Sequence, residues 1–284
     1  MSEKISFLKK SKKHITEALK ALFTGASMLI PGVSGGTMAL VLGFYDKLLK
    51  SISNIFRSFW KSAGTLLFYV LFVGGGFVLF SGAMSWLTEN LRLPVYSFFV
   101  GAVLGGLPSV IKRGGTAKKS ILSGIPLLIA GIAAVILLSL IPESSSVSTS
   151  NIPLLILAGI MIAVALVMPG ISFSHMLLVF GIYESVINAV KSFDILYLLP
   201  IGIASVAGVL LLAKLLDFCM EKYPAQSFYA CAGFAAASSV DIFRKGVLPE
   251  LGGPLTYVWF VLAAAAGFAA IYFISRLSVK NADI

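Results

Sequence analysis

Residues 31–50 read PGVSGGTMALVLGFYDKLLK and residues 169–188 read PGISFSHMLLVFGIYESVIN; setting Pro31 over Pro169 makes eight of the twenty positions identical. The identical residues are Pro, Gly, Ser, Met, Leu, Val, Gly and Tyr, with Val33 over Ile171 and Asp46 over Glu184 as conservative exchanges. A second register follows at a slightly shorter offset: Pro94, Ser97 and Phe98 fall on Pro224, Ser227 and Phe228, and Ser109-Val110 on Ser239-Val240. Self-similarity of this kind marks a duplicated architecture, here two units of roughly 140 residues each.

The solvent follows from composition. Of 284 residues 58% are hydrophobic and only 12% charged, and the mean hydropathy is +0.97. Soluble domains carry about 25% charged residues, so a water-soluble enzyme or DNA-binding domain is excluded. The net charge of +10 fits basic residues gathered on cytoplasmic loops rather than a nucleic-acid partner. Cys219 and Cys231 lie in or beside apolar runs and imply neither a disulfide framework nor a metal or cofactor site. Lys4, Lys9, Lys10, Lys12, Lys13 and Lys20 make residues 1–20 a retained basic amphipathic segment on anionic lipid, with Ile5, Leu8 and Ile15 dipping in.

Apolar runs cover 21–46, 64–87, 95–111, 120–141, 153–184, 195–218, 225–243 and 255–275. Six have the length of a membrane span, about 20 residues. The first and fifth are cut near their middles by Pro-Gly. If all eight crossed the bilayer, the 22 Lys and Arg would divide evenly. If the two broken runs are hairpins that enter and leave on one face, the division is 18 against 4, with only Arg92, Lys191, Arg244 and Lys245 outside. The positive-inside rule selects the second arrangement.

The expected fold is therefore an all-α polytopic membrane protein built from inverted halves. Repeat 1 (21–141) holds a re-entrant hairpin at 21–49 and spans 64–87, 95–111 and 120–141. An external Ser-rich linker, 142–152, leads to repeat 2 (153–275), with a hairpin at 153–187 and spans 195–218, 225–243 and 255–275. A tail, 276–284, returns to the cytoplasm. The multi-pass chain would sit in the bacterial plasma membrane with both termini cytoplasmic, and homo-oligomerisation is left open.

Hairpin arms of 10 to 12 residues reach 15 to 18 Å, half a bilayer, so the tips Pro31–Thr37 and Pro169–His175 should meet near the midplane. Irregular backbone at that depth lines a cavity, as at transporter binding sites. Helix-start N–H groups at Gly35, Gly36 and Thr37, with the hydroxyls of Ser34, Thr37, Ser172 and Ser174, suit an anion. His175, the one histidine in an apolar run, is a candidate for phosphate contact or proton coupling. Tyr45 with Asp46, and Tyr183 with Glu184, are candidates for gating or helix-end bonding. Gly101 and Gly105 form a small-xxx-small pair for close helix packing. Gly32 to Gly36 satisfies G-x-S-x-G, but without the strand and relay of a serine hydrolase no catalytic residue is assigned.

The motif PGVSGGTMALVLGFYDKLL with its echo PGISFSHMLLVFGIYESV resembles the PopT family of bacterial polyprenyl-phosphate transporters, and the resemblance spans essentially the whole chain. It implies a flippase that returns undecaprenyl phosphate, amid membrane lipids, from the outer to the cytoplasmic leaflet for reuse in peptidoglycan and other wall polymers. It also implies headgroup contacts at Pro31, Gly32, Ser34, Gly35, Gly36 and Thr37, and at Pro169, Gly170, Ser172 and Ser174. The second motif departs from the pattern P-G-x-S-G-S at Phe173 and His175. Undecaprenyl-pyrophosphate phosphatase is the competing class, with its P-G-x-S-R-S motif. Gly35 stands where its arginine would be, and no paired glutamates accompany the hairpin. A small-anion transporter is the third reading.

Overall fold

The computed structural model describes residues 2–142, 151–171 and 173–280, with side chains described for 14–142, 151–171 and 176–276. Twelve α-helices are described: α1 (Ser2–Ser27), α2 (Gly35–Leu42), α3 (Tyr45–Ser53), α4 (Phe59–Asn90), α5 (Arg92–Gly114) and α6 (Lys118–Ser139), then α7 (Ile152–Val167), α8 (Phe173–Val179), α9 (Tyr183–Lys191), α10 (Ile195–Lys222), α11 (Pro224–Ile242) and α12 (Pro254–Lys280). The second six repeat the first six in order. Among the described residues, α4, α5, α6, α10 and α12 are long and apolar enough to cross a bilayer. The sixth expected span, α11, is not among these. Its 19 residues are rich in Ala, Ser and Gly, suited to contact with other helices rather than with lipid. The exposed large side chains crowd onto α4, α6, α10 and α12, as expected where hydrocarbon is the solvent.

Each broken run folds as three helices, not two. The first arm is continuous with the N-terminal helix as α1. The second arm, expected to reach Leu49, stops at Leu42. Gly43 there is left-handed at φ 84°; its N–H bonds to the carbonyls of Ala39 and Leu40, and that of Phe44 to Ala39. This satisfies the carbonyls that a helix end leaves free. Gly181 does the same after α8, at φ 67°. The tips also match, with Gly32 at φ 91° and Gly170 at φ 85°.

The arms run antiparallel. Lys20 Nζ donates to the Leu42 carbonyl at 2.8 Å and Lys47 pairs with Glu17, so α2 and α3 return to the end from which the apolar part of α1 set out. In the second half Leu155, Ala158 and Ile162 of α7 share one cluster with Leu177, Ile182 and Val186, the same fold-back. We call the end that carries Lys20, Lys47, Lys50 and Arg113 the basic end.

The halves interlock. α1 packs along α4 and α7 along α10, whereas α5 packs on α12 and α6 on α11, each pair crossing between repeats. Backbone approach is close: a Cβ on Gly101 would overlap the Ala264 carbonyl and one on Gly105 the Phe268 carbonyl, the packing expected of the small-xxx-small pair. Gly233 and Gly131 bring α11 and α6 together in the same manner. At the centre α5 contacts α11; α2 of the first hairpin lies on α5, and the second hairpin touches α11 at its tip, where Gly170 meets Phe234.

Candidate functional site

The two hairpin tips reach α11 from opposite ends and pass one another. A Cβ on Gly170 would overlap the Phe234 carbonyl, while Gly32 lies against Ile242 and Asp241. Seven residues of helix, roughly 10 Å, separate those points, so the tips overlap instead of meeting at one depth. Overlap creates direct bonds between hairpins. The Gly170 N–H donates to Thr37 Oγ1 at 2.8 Å, Tyr45 donates its hydroxyl to the Val167 carbonyl, and Gly36 faces Pro169.

Beyond the tips, away from the basic end, is a cavity of about 240 Å³. Gly32 and Gly170 both line it, together with Ser139 near the end of α6 and the charged side chains Asp241, Arg244 and Lys245. Residues Phe243–Val247 form a π-helical turn, a local widening often found at functional sites, and it carries Arg244 and Lys245. Arg92 braces this turn: its guanidinium donates to the Lys245 carbonyl at 2.9 Å and sits 3.6 Å from Glu250. Gly246 leaves the room that the Tyr96 ring occupies. A further hollow, lined by Pro31, Ser81, Ser85, Thr88 and Arg92, lies on the other flank of the first tip.

The expected tip residues separate accordingly. Gly32 and Gly170 line the cavity and Pro31 the hollow beside it. Ser34 precedes α2 without a side-chain capping bond, and Gly35 rests against the Met28 sulfur. Thr37 is 1% exposed and committed to Gly170, so it joins the hairpins instead of facing the cavity. Pro169 is buried beside Gly36. Ser172 lies outside the described residues, as do the side chains of Ser174 and His175. Asp46 pairs with Arg113 at 2.9 Å, and Arg113 also reaches the Gly43 carbonyl at 3.3 Å, clasping the elbow of the first hairpin to the end of α5. Tyr183 and Glu184 occupy the matching first turn of α9, with Glu184 exposed. At the basic end the Glu221 carboxylate, hydrogen-bonded to Lys50, raises that ammonium above the usual lysine value.

Sequence reasoning missed Asp241, Arg244 and Lys245 as site residues and missed the elbow glycines. The signal was present in both cases. Arg92, Arg244 and Lys245 are three of the four basic residues that the expected arrangement leaves outside, against the bias of the positive-inside rule, and such exceptions call for a local use. The elbows recur as Gly-Phe-Tyr and Gly-Ile-Tyr at matching positions.

Interlocked helical repeats in an apolar chain, with backbone breaks beside a cationic cavity, define a polytopic membrane protein with a site fit for an anion. The chain belongs to the VCA0040-like family, described as undecaprenyl phosphate translocase-like, whose profile matches residues 24–248. It is 32% identical over 229 residues to a polyprenyl-phosphate transporter of Vibrio cholerae, covering 75% of this chain and 72% of that one. It is likewise 32% identical to a polyprenyl-phosphate transporter of Staphylococcus aureus, covering 93% of this chain and 96% of that one. No solved structure matches. The expected family is thereby established.

Proposed function

We propose that this protein is a flippase, not an enzyme, that carries undecaprenyl phosphate from the outer to the inner leaflet of the bacterial plasma membrane. The observation that carries the reading is one cavity lined by the glycines of both tips and by Arg244 and Lys245. Glycine lets a phosphate approach the backbone closely, and the guanidinium binds it with two parallel hydrogen bonds. The isoprenoid tail stays in lipid while the headgroup uses the protein interior.

In this reading the hairpins are re-entrant from opposite faces and the basic end is cytoplasmic. The site then opens outward, and Asp46, Arg113, Lys50 and Glu221 close the cytoplasmic way. Inverted halves permit the opposite arrangement by exchanging conformations. Ser34, Gly35, Gly36, Ser172, Ser174 and His175 remain as headgroup contacts for states in which the tips separate.

The test is reconstitution with labelled undecaprenyl phosphate, following its accessibility in each leaflet. Wild-type protein moves the label, and Arg244→Gln or Gly32→Val slows it by at least about tenfold, the loss of one charge-assisted contact. Unchanged movement in both variants removes the cavity from the mechanism. Phosphate release from undecaprenyl diphosphate replaces the transporter with the phosphatase.

A further inference from the structure

The cavity wall holds a carboxylate that phosphate recognition alone does not call for. Asp241 Oδ2 lies 2.9 Å from Lys245 Nζ and 3.6 Å from the point where a Cβ on Gly32 would stand. It therefore occupies the wall against which a headgroup at the first tip would rest. Its effect is arithmetical: among the described lining residues, two cations and one anion leave one net positive charge. The repeat does not require it, since the register that sets Ser239-Val240 over Ser109-Val110 places Ile111 at the equivalent position. The first-half cation Arg113 takes its carboxylate from another element, Asp46.

Size does not select the headgroup. About 240 Å³ equals roughly eight water volumes at about 30 Å³ each, room for one phosphoryl group or two. Charge does select. A phosphomonoester carries about −1.5 to −2 at neutral pH, and a diphosphate carries more. With Lys245 already offset, a second phosphoryl group would face Asp241 and find, among the described lining residues, no further unpaired cation.

Resting on the reading of this site as a lipid-phosphate site, we propose that Asp241 sets headgroup selectivity, admitting the polyprenyl monophosphate and rejecting the polyprenyl diphosphate. A carrier of this kind would be supplied by a reaction that removes the terminal phosphate of the diphosphate. It would leave the diphosphate itself in place for that reaction.

Purified protein in detergent is tested with short-chain polyprenyl monophosphate and diphosphate as competitors of labelled monophosphate. Wild type prefers the monophosphate by about tenfold or more, the scale of one like-charge contact at a partly wet site. Asp241→Asn collapses that ratio, mainly by tightening the diphosphate. Asp241→Glu keeps it, and the double variant Asp241→Asn/Lys245→Gln, again at one net positive charge, restores it. Should Asp241→Asn not fold, Lys245→Gln alone, at zero net charge, must widen the ratio. A wild type that binds the monophosphate but shows equal affinity for the diphosphate overturns the proposal, as does a ratio unmoved by Asp241→Asn; both leave the transport reading standing. A wild type that binds neither lipid overturns both.

Discussion

α5 and α11 begin alike and end differently. Both start with Pro, Ser and Phe in register and both run into two adjacent basic residues, Lys112-Arg113 in the last turn of α5 and Arg244-Lys245 within the π turn that follows α11. At the basic end Arg113 is bound to Asp46 and to the Gly43 carbonyl, so helix end and hairpin elbow are joined. At the other end Lys245 pairs within its own turn to Asp241, and among the described residues no carboxylate pairs with Arg244. Two copies of one plan thus stand in two conditions, one clasped and one with a cation turned to a cavity.

The tips give the largest effect by which to test the comparison. Gly32 and Gly170 share a left-handed backbone, yet a methyl on Gly170 runs into the Phe234 carbonyl whereas one on Gly32 first meets the Ile242 side chain at 3.3 Å. Gly170→Ala should cost about 3 kcal/mol or more, conformational strain plus overlap with immobile backbone. Gly32→Ala should cost about 1 to 2 kcal/mol from strain alone. Thermal melts in detergent read both; equal losses would mean the tips are packed alike.

Next comes the clasp. Arg113→Met leaves the half-buried Asp46 carboxylate without its cation and should lower stability by about 1 to 2 kcal/mol, less than a fully buried pair because water still reaches it. Arg244→Met should leave stability within about 0.5 kcal/mol while abolishing transport. If the two arginines behave alike in both measurements, the distinction between clasped and open ends is wrong. The smallest effect belongs to Lys50→Gln, which breaks an ion pair to Glu221 whose side chains are 56% and 64% exposed; about 0.5 kcal/mol or less is expected, fading in high salt.

Much of this was legible before any coordinates. Pro-Gly inside an apolar run is a local event, fixed by the missing N–H and the missing Cβ, so the breaks at 31–32 and 169–170 could be read residue by residue. The elbows at Gly43 and Gly181 were less visible because a lone glycine in a helical pattern is often tolerated, and only the capping bonds reveal that the helix stops. The fate of Thr37 was hidden altogether: its hydroxyl suits an anion as well as a peptide N–H, and which of these it meets depends on a hairpin 133 residues away.

The sequence by itself determined the bilayer as solvent, the duplication, the all-helical class and the family, because each rests on composition or on patterns carried within one segment. Only the tertiary structure decided that the tips slide past one another along α11, that Arg244 and Lys245 share their cavity with Asp241, and that the matching arginine at the other end is clasped. Those outcomes come from side chains brought together by packing across repeats, and packing depends on shape and distance that no single stretch of chain encodes.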